Sequence, residues 1–229
     1  MQTEQKYNIL ALIPAYNESE RIEKVIRAAR SYLPVLVVDD GSSDNTAEIA
    51  QRAGAEVLVQ NPNQGKGAAL VRGFRHALEK GYDAVITLDA DGQHDPHEIP
   101  TFLEAYGLRK ADLIIGARDF RKMPQPRKTS NTIGTWMFSW AMGQHVPDNQ
   151  SGYRLISRRL MEAMLLSKEG AWEFEVDMII LAINGGMLLD WVPIRTIYAG
   201  EKSHIRYGRH VVQFFRMVWR ARQSRKRAG

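Results

Sequence analysis

Five short apolar runs leave this chain few ways to fold: Ile9–Ile13, Val35–Val38, Glu56–Val59, Ala84–Leu88 and Leu113–Ile115. Each is short for a helix and rich in β-branched or aliphatic residues, as strands buried on both faces of a parallel sheet are. Between them the pattern turns helical. Asn17 is placed to cap a helix over Glu18–Ser31, with Glu20 three residues on. Asp44 is placed to cap a second that stops at Gly54, and a third runs from about Gly67 to Lys80 and ends at Gly81. Strand, helix and strand at this spacing predict an α/β fold, a Rossmann-like and mostly parallel sheet with helices on both faces.

After Arg118 the pattern changes. Asp119–Thr129, with Pro124 and Pro126, reads as an exposed, mobile loop. Ser130–Met142 reads as a helix whose Trp136, Phe138 and Trp140 have the core as their usual place. Tyr153–Ser157, a helix over Arg158–Leu166, an acidic helix over Glu173–Asn184 and a strand at Leu188–Val192 follow, then a polar loop over Arg195–Gly208. One globular domain over residues 1–208 and a basic amphipathic tail over 209–229 is the simplest organisation.

Composition narrows the function. At 229 residues, 44% hydrophobic and 25% charged, the chain can bury a sizeable core. It has no apolar run of about 18 residues, so no conventional transmembrane helix is expected. A polar start leading straight into a strand predicts no secretory signal. Cysteine is absent, which excludes disulfides, thiolate catalysis and Cys-ligated metals and suits a cytosolic setting. The net charge of +5 hides an asymmetry. From Glu201 onward nine Lys and Arg face one acid, whereas the first 200 residues carry 22 basic and 25 acidic groups. Such a tail suits phosphates. In His210–Arg227 the apolar Val211, Val212, Phe214, Phe215, Val218 and Trp219 gather on one helical side, which predicts an anionic membrane surface as partner. Nucleic acid is not expected, because no RNP, zinc or helix-turn-helix signature accompanies the charge.

In open α/β sheets ligands bind outside the carboxyl ends of the strands, and here every strand end is polar. Asp89 and Asp91, one residue apart in an extended chain, point to the same side. They are the oxygen donors that Mg²⁺ or Mn²⁺ takes together with substrate phosphates, and Gln93 or His94 can complete the shell. The plainer alternative is an acidic turn that caps the next helix. Asp39, in Asp39-Asp40-Gly41-Ser42, can accept hydrogen bonds from a base or ribose, or the segment can simply turn and cap. Gly65-Lys66-Gly67 invites comparison with a P-loop, but residue 60 is Gln and residue 68 is Ala, so that motif is rejected and Lys66 remains as a point charge.

Taken together, Ile13-Pro14-Ala15-Tyr16-Asn17-Glu18, Val38-Asp39-Asp40-Gly41-Ser42-Ser43-Asp44, Asn63-Gln64-Gly65-Lys66-Gly67, Asp89-Ala90-Asp91-Gly92-Gln93 and Gly116-Ala117-Arg118 resemble the family 2 glycosyltransferases of GT-A fold. The resemblance spans about Ile9 to Tyr207. Asp148–Arg154 and Glu201–Arg206 look most like the dolichyl-phosphate mannosyltransferase, or polyprenyl-phosphate glycosyltransferase, branch. The Q-x-x-R-W signature of processive synthases is absent. The resemblance implies that Pro14, Ala15, Tyr16, Glu18, Asp39, Asp40, Lys66, Asp89 and Ala90 bind the nucleotide. It implies that Asp89, Asp91 and Gln93 hold the metal and diphosphate. Arg118, Arg127, Ser130 and Lys202 would meet the acceptor phosphate, and Arg154 with Lys202 or Arg206 would close over the diphosphate. The family's usual Gly-Ser-Arg is Gly116-Ala117-Arg118 here.

The implied reaction is inverting transfer of a hexose, mannose or glucose, from a GDP- or UDP-sugar to a polyprenyl phosphate at the cytosolic membrane face. A phosphate monoester has a second pKa of about 6 and is already nucleophilic at neutral pH, so no strong base is needed. With a hydroxyl acceptor instead, Asp148 would be the base. A sugar-1-phosphate nucleotidyltransferase would want a Gly-rich basic loop after the first strand, where this chain has Pro14–Glu18.

Overall fold

The computed structural model describes residues 7–122, 127–166 and 174–195 together with Trp219, Arg222 and Gln223, and only the backbone at Lys122, Arg127 and Ser130. Among the described residues seven strands form one sheet: β1 (Ile9–Ala15), β2 (Val35–Asp39), β3 (Glu56–Val59), β4 (Ala84–Thr87), β5 (Leu113–Arg118), β6 (Arg154–Ser157) and β7 (Leu189–Ile194). Their spatial order is β3-β2-β1-β4-β6-β5-β7. All neighbours are parallel except β6, which runs antiparallel to both β4 and β5. The mostly parallel sheet expected from the apolar runs is therefore present, with one reversed strand wedged into it.

The helices are α1 (Ile22–Ala29), α2 (Thr46–Arg52), α3 (Lys66–Glu79), α4 (Ile99–Arg109), α5 (Arg127–Met142), α6 (Arg158–Leu166) and α7 (Phe174–Asn184). β1 shows how they cover both faces. Its Ile9, Ala11, Ile13 and Ala15 pack with α1, α2 and α4, while Leu10 and Leu12 pack with α3, α5, α6 and α7. The two-residue period of a strand sends alternate side chains to opposite layers. α3 lies close on β1 because residue 73 is glycine: a Cβ there would sit 2.4 Å from Leu12 Cδ1. No described helix is long and apolar enough to cross a membrane.

Three expectations change. Asn17 does not cap α1. It adopts φ 55° and its Oδ1 accepts the Ser43 N–H at 2.8 Å, tying the loop after β1 to the loop after β2, and α1 begins four residues later than read. Residues 127–129 belong to α5 rather than to a loop. α4 has no counterpart among the helices read from the sequence, because Pro100 and Gly107 disguise it. Pro100 sits in the first turn, where no backbone N–H is needed. The tail helix lies outside the described residues, apart from three helical positions at 219, 222 and 223.

Candidate active site

The strand order reverses between β1 and β4, and the loops after β1, β2 and β4 open onto one cavity of about 320 Å³ there. Pro14, Ala15, Tyr16 and Glu18 line it from β1, Asp40 from β2, Lys66 and Ala69 from α3, and Asp89, Ala90 and Asp91 from β4. Every residue assigned to the nucleotide except Asp39 thus meets in one cavity. The loops are laced by side chains: Ser42 Oγ accepts Asn17 N–H at 2.9 Å, and Thr46 Oγ1 accepts Glu18 N–H at 2.8 Å.

Neighbouring aspartates do different work. Asp39 Oδ1 accepts Ser42 N–H at 2.8 Å, while its Oδ2 is buried with no hydrogen-bond partner among the described residues. A buried acceptor left open costs roughly 1–3 kcal/mol, a cost that a ligand donor removes. Asp40 braces the wall instead. Its carboxylate accepts Gln64 N–H at 2.8 Å, Gly65 N–H at 2.7 Å and the Gln60 side-chain amide. That holds the 60–65 loop and delivers Lys66 into the cavity.

Lys66 is the electrostatic centre. Its ammonium lies 2.6 Å from Asp89 Oδ1 and 3.0 Å from Glu175 Oε1. Burial alone would lower the Lys66 pKa, but the two carboxylates outweigh burial and raise it. Burial likewise works to raise Asp89 and Glu175, and Lys66 holds both below the ordinary carboxylate range. Gly152 packs closely on this cluster: a Cβ there would lie 3.0 Å from Lys66 Nζ and 3.1 Å from Asp89 Oδ2, and both side chains would have to shift by a few tenths of an ångström. Asp91 Oδ1 accepts Gln93 N–H at 2.9 Å. His94 works behind the pair: its Nδ1 accepts Asp89 N–H at 3.1 Å, its ring stacks on Tyr153, and burial lowers its pKa, keeping it neutral.

These residues suit a divalent cation. No group of three His, Asp or Glu converges as a complete ligand set among the described residues. Mg²⁺ and Mn²⁺, however, commonly take one or two carboxylates plus phosphate and water. The Lys66 ammonium shows that a positive charge is already drawn to Asp89.

Arg118 and Asp148 form a second cluster. Arg118 Nε reaches Asp148 Oδ2 at 2.7 Å and Nη2 reaches Oδ1 at 3.0 Å, a fork-on-carboxylate pair. Asp148 is fully buried and also accepts the Gln150 and Ser151 N–H groups at 3.0 and 3.1 Å. Arg118 also lines a groove of about 960 Å³ whose walls carry Arg121 and Arg195, the acidic Asp95, Glu98 and Asp119, and the apolar Val192, Pro193 and Ile194, with Arg121 paired to Asp119 at 2.9 Å.

Arg154 is a correction. It does not close over a diphosphate: it is buried, and its guanidinium donates to the carbonyls of Ser151, Asn149 and Glu175. A buried guanidinium must satisfy many donors, and the 149–151 loop and α7 supply the acceptors. Burial lowers its pKa to about 10. Arg127 and Ser130 stand in the first turn of α5, and Lys202 and Arg206 lie outside the described residues. Glu175 was missed because no motif surrounds it. Its only signal is its place at the start of a helix that packs on α3, where Phe174 and Phe74 meet at 6.0 Å between ring centres.

Residues 11–173 match the family model described as Glycosyl transferase family 2. The undecaprenyl-phosphate mannosyltransferase of Micrococcus luteus is 35% identical, covering 81% of this chain and 82% of its own. The UDP-N-acetylglucosamine–dolichyl-phosphate N-acetylglucosaminyltransferase of Methanococcus voltae is 30% identical, covering 93% and 94%. Among solved structures, glucosyl-3-phosphoglycerate synthase of Mycobacterium tuberculosis, crystallised with Mn²⁺, UDP-glucose and phosphoglyceric acid, superimposes with a TM-score of 0.71. It covers 95% of this chain and 80% of that one at 19% identity, a likeness of fold.

Proposed function

The chain belongs to glycosyl transferase family 2, with the GT-A fold, and is a transferase; from that premise we propose that it moves a hexose from a GDP- or UDP-sugar to a polyprenyl phosphate, at the cytosolic face of an anionic membrane. The observation that carries the donor half is the meeting of Asp89, Asp91 and Lys66 in the cavity at the strand ends. Asp89 and Asp91, with Gln93, would hold Mg²⁺ or Mn²⁺, which supplies positive charge to the leaving diphosphate. The Lys66 ammonium adds fixed charge beside it.

The acceptor half rests on Arg118. Asp148, the candidate base for a hydroxyl acceptor, is spent on the Arg118 guanidinium and on backbone N–H groups. That favours a nucleophile that needs no base. A phosphate monoester, largely dianionic at pH 7, attacks the anomeric carbon directly, displaces the nucleoside diphosphate and inverts the centre. The groove at Arg118 sets guanidinium and carboxylate groups beside apolar β7 side chains, so it offers an amphipathic acceptor both polar and apolar walls. The names of the Micrococcus and Methanococcus relatives, which carry undecaprenyl and dolichyl phosphate, agree with this choice.

The test is thermal stabilisation by GDP, UDP, CDP and ADP with and without Mn²⁺. One nucleotide at about 100 times its Kd should stabilise the protein by about 2.7 kcal/mol. For a domain this size that is roughly 5–10 °C. The shift should require metal and vanish in Asp91→Ala. No shift with any nucleotide would overturn the reading.

A further inference from the structure

Arg154 is among the largest side chains that the fold buries completely, and it lines neither the strand-end cavity nor the groove at Arg118. A guanidinium out of water is a costly way to fill space, since Leu or Met would fill it with no charge to desolvate. What the guanidinium does that they cannot is hold three backbone carbonyls at once. Its Nε donates to Ser151 at 2.7 Å, its Nη2 to Asn149 at 3.2 Å and its Nη1 to Glu175. The first two carbonyls belong to the loop before β6, and the third to the first turn of α7. A planar fork of several N–H groups can span two such segments, whereas an ammonium donates from a single point.

The two segments lead to opposite halves of the site. In the loop, the Ser151 N–H is held by Asp148 Oδ1 at 3.1 Å, and the Asp148 carboxylate carries Arg118 at 2.7 Å. In α7, the Glu175 carboxylate holds the Lys66 ammonium at 3.0 Å, and Lys66 in turn reaches Asp89 at 2.6 Å. Arg154 is therefore the middle link of an unbroken run of hydrogen bonds and ion pairs from Arg118 to Asp89. Energetic coupling between sites is carried by contiguous networks of this kind, and a measured coupling is what establishes it.

We propose that Arg154 is a positioning residue for the transfer reaction: by gripping the 149–151 loop and α7 together it sets Arg118, on the acceptor side, against Lys66 and Asp89, on the donor side. The inference rests on the transferase reading for the roles of those two sides.

The experiment compares the full-length natural protein with Arg154→Lys, which keeps the charge but not the fork. Two quantities are read: the Mn²⁺ concentration at half-maximal stabilisation by the nucleotide that binds, and the kcat and KM for transfer to farnesyl phosphate from the mannose and glucose conjugates of that nucleotide. A misaligned pair of half-sites should lower kcat by about tenfold or more, with the acceptor KM changed by less than about threefold. The Mn²⁺ midpoint should rise by about threefold or more, because Glu175 no longer draws Lys66 from Asp89. Natural values of kcat and of the midpoint in Arg154→Lys, even with a lower urea midpoint, would overturn the proposal and leave Arg154 as packing alone. Arg118→Lys supplies a test that leaves Arg154 in place. It keeps its charge, loosens the fork on Asp148 and lies outside the strand-end cavity, so only coupling through the loop should move the Mn²⁺ midpoint, by about twofold or more. An unmoved midpoint would overturn the proposal whether or not Arg154→Lys folds. A natural protein that shows no nucleotide shift or no transfer would overturn the transferase reading and its substrates, and this inference with it. Natural behaviour that the variants reproduce would overturn this inference alone.

Discussion

At 2.6 Å from Asp89 and 3.0 Å from Glu175, the Lys66 ammonium neutralises part of the charge that a divalent cation would meet, and Glu175 gives it a second place to rest. Glu175→Gln removes that alternative and leaves Lys66 competing for Asp89 alone. The Mn²⁺ concentration at half-maximal nucleotide stabilisation should rise roughly three- to tenfold, equivalent to about 0.6–1.4 kcal/mol. An unchanged midpoint would reduce Glu175 to packing. Asp44 offers a pH test away from that cluster. Burial works to raise its pKa, but hydrogen bonds from Thr46 and Ser19 prevail and lower it from 3.8. A carboxyl lowered on folding contributes stability that is complete above about pH 4 and is lost as pH falls through the folded-state value. The stability advantage over Asp44→Asn, measured by urea unfolding at pH 7 and pH 3, should therefore shrink at pH 3. The residues of the strand-end motifs were legible because the fold itself turns strand ends into a site. Arg154 was not, since a sequence reports an arginine's charge but not whether carbonyls or phosphates surround it.

Within the elements, α5 separates two roles at neighbouring positions. Phe138→Ala should cost about 3–5 kcal/mol through the cavity it leaves. Trp136→Ala should change stability by no more than about 0.5 kcal/mol, as exposed substitutions do. Denaturant midpoints of the two variants would check both, and a large loss at Trp136 would refute its exposed place. Trp136, Phe138 and Trp140 look like one aromatic group in the sequence, yet steps of two on a helix turn by about 200° and put Phe138 opposite its neighbours. That geometry was available from the helical period. Which side met the core was not, because it depends on where β5 and α6 bring the helix. β1 to β5 were readable within three residues at their ends, since buried parallel strands advertise themselves as apolar runs; β3, expected to be buried on both faces, is instead the partly exposed edge strand, with Val59 54% exposed. α4 and the cap of α1 were obscured by local chemistry that serves other ends.

For the molecule as a whole, the layers followed from alternating strands and helices, whereas the reversal point between β1 and β4 and the insertion of β6 between β4 and β5 did not. No local pattern distinguishes a reversed central strand from a parallel one when both are buried. That wedge sets the order in which the enzyme can be built during synthesis. β1 to β4 form a four-stranded parallel unit complete by residue 87, and its loops already carry most of the residues that line the strand-end cavity. β5 leaves the ribosome soon afterwards but cannot join the sheet until β6 is made, about 36 residues later. At roughly 5–20 residues per second, β5 waits about 2–7 s with its edges bare. The nascent chain thus acquires most of its strand-end cavity first and holds Arg118 in reserve until one four-residue strand arrives to splice the two together.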